Sequence, residues 1–202
     1  MWNMNEFYYT SNPSSQSNER SFTVDFLDET CFFTYDNGVF SKGELDEGTT
    51  YLLSSLPALH GRILDLGCGW GPVGVILGKK YPAAEIIMSD VNERALALSR
   101  KNLAANGVTN AVCIASDGFE KIEGKFDAII TNPPIRAGKE KIYGMFDEAM
   151  VHLTEGSALY LVIRKQQGAE SAVKYLAHYG VEILTKKKGF WVLKVGGNAN
   201  EE

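Results

Sequence analysis

From Arg62 onward the chain alternates β-type and helix-type segments, and this alternation limits the fold more than any other feature of the sequence. The pattern predicts strands over 62–67, 84–90, 111–116, 126–132 and 157–164, with helices over 72–80, 92–105, 139–153 and 169–179. The strands are runs of Ile, Leu and Val with little polar alternation, which indicates burial on both faces. Such strands, separated by amphipathic helices, fold as a doubly wound α/β layer around a mostly parallel sheet. A closing hairpin over 181–186 and 190–195 puts an antiparallel strand in the sheet in place of a further crossover. Upstream, Phe22, Val24 and Phe26 alternate, then Asp28-Glu29 intervenes, and Cys31, Phe33 and Tyr35 alternate in turn. That is a β-hairpin signature, ended by Asp36-Asn37-Gly38. A short helix is expected over 51–56. The expected organisation is an N-terminal extension over 1–58, a core over 59–196 and a disordered tail over 197–202.

Bulk properties narrow the function classes. A chain of 202 residues suits one domain with a single buried core. No apolar run approaches the ~20 residues a membrane helix needs, and the start, Met1-Trp2-Asn3-Met4, lacks the basic-then-apolar pattern of a signal peptide. Cys31, Cys68 and Cys113 are odd in number and lack metal-ligand spacing, so reduced thiols in the cytoplasm are expected. His60, His152 and His178 form no cluster, and no metal site is expected. A net charge of −5 argues weakly against a protein that coats nucleic acid. The distribution of charge says more. Arg136, Lys139 and Lys141 follow the strand over 126–132, Arg164 and Lys165 end the next, and Lys186, Lys187 and Lys188 fall in the last hairpin. The bland alternative is a set of scattered solvated charges.

Two motifs carry chemistry. The glycine-rich turn Asp65-Leu66-Gly67-Cys68-Gly69-Trp70-Gly71-Pro72-Val73-Gly74 joins the first core strand to its helix. Gly67, Gly69 and Gly71 let the backbone turn tightly and a ligand lie against bare peptide, and Gly74 lets the helix pack close. About sixty residues later Thr131-Asn132-Pro133-Pro134-Ile135 closes a strand. A planar amino group is a poor nucleophile, and alkylating it requires acceptors for its N–H groups. The Asn132 side-chain oxygen and the Pro133 carbonyl supply two, on a backbone that successive prolines hold extended. Alone, Asn-Pro-Pro is often only a turn. Its place at a strand end, downstream of the glycine turn, gives it chemical meaning. Asp90 ends the second strand, where a carboxylate can accept both ribose hydroxyls. Asp117 ends the third, within reach of an adenine amino group. Gly69, Gly71 and Gly74 also fit a dinucleotide fingerprint, so nicotinamide binding stays open as a rival. Asp65, which can reach an amino-acid ammonium through water, Asp117 and Asn-Pro-Pro together point to S-adenosylmethionine.

These motifs resemble those of the class I S-adenosylmethionine-dependent methyltransferases of the small-domain family, which includes the small-subunit ribosomal RNA guanine-N2 methyltransferases. The likeness covers nearly the whole chain. Tyr8-Tyr9 and Asn12-Pro13-Ser14-Ser15 resemble the family's N-terminal segment. Gly38-Val39-Phe40-Ser41 through Leu45-Asp46-Glu47-Gly48-Thr49 resembles its cofactor-covering loop, Asp65-Leu66-Gly67-Cys68-Gly69 its first motif, and Asn132-Pro133-Pro134-Ile135 its catalytic motif. The resemblance implies a seven-stranded Rossmann-like sheet of order 3-2-1-4-5-7-6. It assigns cofactor contacts to Phe40, Ser41, Thr49, Asp65, Gly67, Cys68, Gly69, Gly71, Asp90, Val91, Asn92, Asp117, Gly118 and Asn132, and catalysis to Asn132, Pro133, Pro134 and Ile135. The basic groups above would then rim the site, which suits ribosomal RNA or the small ribosomal subunit as partner. Relatives that methylate adenine in DNA or glutamine in release factors usually carry an aromatic ring where Ile135 stands. The implied activity is therefore methylation of an exocyclic amino group, guanine N2 first. A protein glutamine-N5 methyltransferase, an NAD-dependent oxidoreductase and a non-catalytic nucleotide-binding module are the alternatives.

Overall fold

A computed structural model of the protein describes residues 18–36, 44–135 and 138–197. Two antiparallel strands come first, β1 (Arg20–Phe26) and β2 (Glu29–Tyr35). Phe26 pairs with Glu29, so the turn is Leu27-Asp28, one residue earlier than the sequence pattern suggests. Both residues have positive φ, 52° and 67°, which is the two-residue turn whose twist matches that of the strands. A left-handed leucine is strained, and Leu27 is held there by packing against the core.

Seven strands form the main sheet: β3 (Arg62–Leu66), β4 (Glu85–Asp90), β5 (Ala111–Ala115), β6 (Phe126–Thr131), β7 (Leu153–Arg164), β8 (Val181–Lys187) and β9 (Phe190–Gly196). Their spatial order is β5-β4-β3-β6-β7-β9-β8. Counted from β3, that is the expected order 3-2-1-4-5-7-6. The pairs from β5 through β7 are parallel, and β9 runs antiparallel to both its neighbours. Helices α1 (Glu47–Ser55), α2 (Pro72–Lys80) and α3 (Glu93–Ala105) cover one face; α4 (Lys139–Val151) and α5 (Ala169–Leu176) cover the other. Alternate strand residues feed the two cores. Ile63, Ile130 and Val162 pack on the first face, Leu64, Ile129 and Leu161 on the second.

The hairpin docks through side-chain amides on α3. Asn102 accepts from the Thr34 N–H at 2.7 Å and donates to the Thr34 carbonyl at 2.9 Å. Asn106, one turn on, does the same for Phe32. Two asparagines spaced by four thus stand in for a neighbouring strand, satisfying backbone groups of β2 that would otherwise be unpaired. Phe33 follows them into the core, where its ring meets Trp70 edge-on at 4.9 Å.

Three boundaries differ from the sequence pattern by three residues or more. Helix α1 begins at Glu47, ahead of the expected 51, because the Asp46 carboxylate accepts the Thr49 N–H at 3.0 Å and caps it. Strand β7 starts at Leu153, which pairs with Phe126 before the register shifts at Ala128; the polar stretch after Leu153 hides this in the sequence. Helix α5 ends at Leu176, and residues 177–179 tighten into a 3-10 turn.

Candidate active site

The winding direction of the sheet reverses between β3 and β6, where ligands of doubly wound folds bind beyond the carboxyl ends of the strands. Leu66 pairs with Thr131, so Gly67 and Asn132 are the first residues past two adjacent strand ends. The glycine turn and Asn-Pro-Pro, far apart in sequence, meet there.

The glycines divide by role. Gly67, Gly69 and Gly71 all have positive φ (75°, 56° and 92°). A Cβ on Gly67 or Gly69 would have nothing within 4 Å, whereas on Gly71 it would press on Met88 and Ser99, and on Gly74 it would fall inside Met88. The first two therefore offer bare backbone to open space, and the last two let α2 pack on β4 and α3. The turn is held from below. The N–H groups of Gly67 and Cys68 both reach the Ser89 carbonyl at 2.8 Å, and Gly69 donates to Asp90 at 2.9 Å.

The carboxylates around this turn have distinct environments. Asp65 is buried beneath it and accepts the Gly74 N–H at 3.0 Å. Burial pushes its carboxyl up to about 7, the Gly74 N–H pulls it back, and the charge of Asp90 adds to the rise. Asp90 is also raised by burial, against the N–H groups of Asn92, Gly69 and Val91 that favour its charged form. Its side chain is only half-buried, so part of the carboxylate is open to solvent. The Asn92 side chain caps α3 by accepting from Arg94 and Ala95. Cys68 is buried, and burial lifts its thiol well above its ordinary value; a thiol held neutral is no nucleophile. Asp117 pairs with Lys141 at 2.9 Å, both about half exposed, beside Gly118 with φ 54°.

Asn132 is oriented by residues the sequence places far away. Its amide nitrogen donates to Asp46 Oδ1 at 3.3 Å and to Thr49 Oγ1 at 3.1 Å. Thr49, whose expected role was contact with the cofactor, is buried and turns its hydroxyl to Asn132. Pro133 is buried, and Pro134 and Ile135 are half-buried, with Ile135 packed against the core on the α4 face. Asp46 was not singled out in the sequence. Its signal is weak but readable: an Asp three residues before a Thr at the start of a helix.

The described basic residues lie toward the same end of the sheet as Asn132. Arg164 and Lys187 both pair with Phe190 in the strand register, and the Arg164 guanidinium stacks 4.2 Å over the Phe190 ring. Lys187 sits over Tyr51 of α1 at 5.3 Å, and Lys188 bonds to Glu47 at 2.8 Å. These contacts bring the β8–β9 turn to the start of α1, and so to Asn132. Lys186 stacks on Trp191 at 3.8 Å, Lys165 pairs with Glu170 at 3.5 Å, and Lys139 begins α4 exposed. Phe40, Ser41 and Arg136, also expected in the site, lie outside the described residues, as do Tyr8, Tyr9 and residues 12–15. Among the described residues no cluster of His, Cys, Asp and Glu could hold a metal ion, and no helix is long and apolar enough to cross a membrane.

Known proteins resemble this chain in sequence and in fold. The model of the methyltransferase small domain family matches residues 30–194. YbxB of Bacillus subtilis strain 168, described as uncharacterized, is 41% identical over 197 residues, covering 95% of this chain and 98% of its own. The ribosomal RNA small subunit methyltransferase C of Aeromonas hydrophila is 43% identical over 129 residues, 62% of this chain but 37% of that enzyme. Among solved structures, the 16S rRNA N2 methyltransferase of T. thermophilus, in complex with AdoMet and guanosine, matches with a TM-score of 0.76 at 24% identity, over 92% of this chain and 52% of that one. That last likeness is one of fold. The chain spans about two fifths to one half of the two ribosomal RNA enzymes.

Proposed function

Since the chain belongs to the methyltransferase small domain family, we propose that it methylates an exocyclic amino group of RNA, guanine N2 of ribosomal RNA first. The observation that carries this reading is the meeting of Asn132 with the open backbone of Gly67 and Gly69 at the switch point. The residues present fit S-adenosylmethionine. Gly67 and Gly69 would offer it uncovered peptide, Asp90 would accept from the ribose hydroxyls, and Asp117, now paired with Lys141, would accept from the adenine amino group. When bound, that cofactor would supply the methyl carbon of a sulfonium: the target nitrogen's lone pair would form the new bond to that carbon as the neutral thioether leaves with the sulfur–carbon electrons.

The chain's own work is positional. The Asn132 oxygen and the Pro133 carbonyl accept the two N–H groups of the target and aim its nitrogen, and holding the reactants in line supplies much of the rate. No strong base is required, because the nitrogen becomes acidic once alkylated and gives its proton to water. Ile135 is packed against the core and provides an apolar wall instead of a stacking ring, which favours RNA over the aromatic-dependent relatives. Resemblance over 129 residues to a ribosomal RNA small subunit methyltransferase supports the same substrate class. The test incubates the protein and labelled cofactor with ribosomal RNA, small subunits and release factor, and digests the RNA to nucleosides. Label in N2-methylguanosine is the expected result. Label confined to the release factor would replace this reading with the glutamine enzyme.

A further inference from the structure

We infer that Asp46 and Thr49 are positioning residues that lock the Asn132 amide with its oxygen outward, so that the site presents an acceptor only and takes targets with N–H groups to give. The inference rests on the proposed function for what the target is, but not for the lock itself. An amide offers two donors on nitrogen and an acceptor on oxygen, and which arm faces which way is decided by its partners. An ionised carboxylate can only accept. With Asp46 Oδ1 at 3.3 Å and Thr49 Oγ1 at 3.1 Å, the arm of Asn132 facing α1 must be nitrogen. Both its hydrogens are then used on one side, and the oxygen is left on the opposite arm of the plane. A half-turn of the amide would set its oxygen against the carboxylate; the Thr49 hydroxyl can turn to donate or accept, so Asp46 decides the orientation and Thr49 holds the arm in place. The anion also polarises the amide and makes its oxygen a better acceptor. The same Asp46 oxygen caps α1 through the Thr49 N–H at 3.0 Å, so the lock is built into the helix start.

Two variants separate the lock from the helix cap. Thr49→Val keeps the buried shape and removes one acceptor. Asp46→Ser keeps a capping oxygen on a side chain too short to reach Asn132. The first readout needs no substrate: the Asn132 side-chain amide pair in a nitrogen-15 NMR spectrum, assigned by its loss in Asn132→Ala. In the parent it exchanges slowly with deuterated water; in both variants exchange accelerates. The second readout is methyl transfer, where kcat falls about tenfold in Thr49→Val and about a hundredfold in Asp46→Ser, with cofactor affinity unchanged. Thr49→Ser, which restores the acceptor, recovers most of the lost rate, whereas Asp46→Asn, which restores an oxygen but neither the charge nor the obligate acceptor, recovers little of it. Fast exchange in the parent, or variants with a loosened amide and undiminished kcat, overturns the inference. If the parent methylates none of the substrates, the proposed function fails, and the exchange readout still decides the lock.

Discussion

Asp65 gives the sharpest physical prediction, because its carboxyl is buried and, among the described residues, has a single hydrogen-bond donor, the Gly74 N–H, against it. Its ordinary value is 3.8, and burial lifts it to about 7. The folded protein therefore keeps a proton that the unfolded chain has already released between those values. The sign follows from linkage. This group's contribution to stability is complete below about pH 4, declines as pH rises toward 7, and is gone above it. At 1.36 kcal/mol per pH unit, a gap of about three units amounts to at most ~4 kcal/mol. Asp65→Asn keeps an oxygen for the Gly74 N–H and cannot ionise. Parent and variant should unfold at similar urea concentrations at pH 4.5, and the variant should become the more stable by several kcal/mol at pH 8. Asp90, also raised by burial, titrates in both proteins and largely cancels. A difference between parent and variant that stays flat from pH 4.5 to 8 would refute the reasoning. Calorimetry at pH 8 adds the functional half. A loss of S-adenosylmethionine affinity in the more stable variant means the buried charge is retained for the ligand's ammonium, a stability cost accepted for binding.

Three further outcomes follow from the geometry. Asp90→Ala removes the acceptor proposed for the ribose and one support of the glycine turn, and cofactor affinity measured by calorimetry should fall by about 1.5–3 kcal/mol. Asn102→Ala leaves the Thr34 N–H, the Thr34 carbonyl and the Trp70 carbonyl without their buried partner; about 3 kcal/mol is lost, and scanning calorimetry should show a Tm lower by roughly 10 °C. Lys187→Ala should reduce the log-log salt dependence of RNA binding by about one unit if its charge meets a phosphate, and an unchanged slope removes it from the interface.

The layer architecture was legible because burial on both faces leaves a direct trace: strands without polar alternation, separated by helix-period segments. The core strand order, by contrast, came from resemblance, since periodicity cannot say which strand lies beside which. The hairpin turn was misplaced by one residue, because no turn rule predicts a leucine at positive φ; only packing against the core explains Leu27. In the site, Gly67, Asp90 and Asn132 were visible from their positions at predicted strand ends. The partners of Asn132 were not. Asp46 lies 86 residues away, and its capping role hid inside a segment read as a loop running into a helix at 51. Thr49, expected from the resemblance to touch the cofactor, also bonds to Asn132, a contact that no sequence pattern shows.

The proposed rim also has a physical logic that net charge conceals. Lys141, Lys165 and Lys188 each face a carboxylate, Asp117, Glu170 and Glu47, in pairs whose members are about half exposed or more. Pairs of that kind contribute little, because water screens them and two side chains must be ordered to make them. Exchanging such a carboxylate for an RNA phosphate therefore costs little, and it frees the carboxylate while the lysine stays paired. At Asp117 the released carboxylate is the one proposed to meet the adenine amino group, so Lys141 moving to a phosphate would free it for the cofactor. Arg164, Lys186 and Lys187 instead rest on Phe190, Trp191 and Tyr51. A cation on an aromatic face keeps its full charge toward solvent while its stem is held in place. An acidic protein can in this way present a fixed positive edge to a polyanion at one end of its sheet.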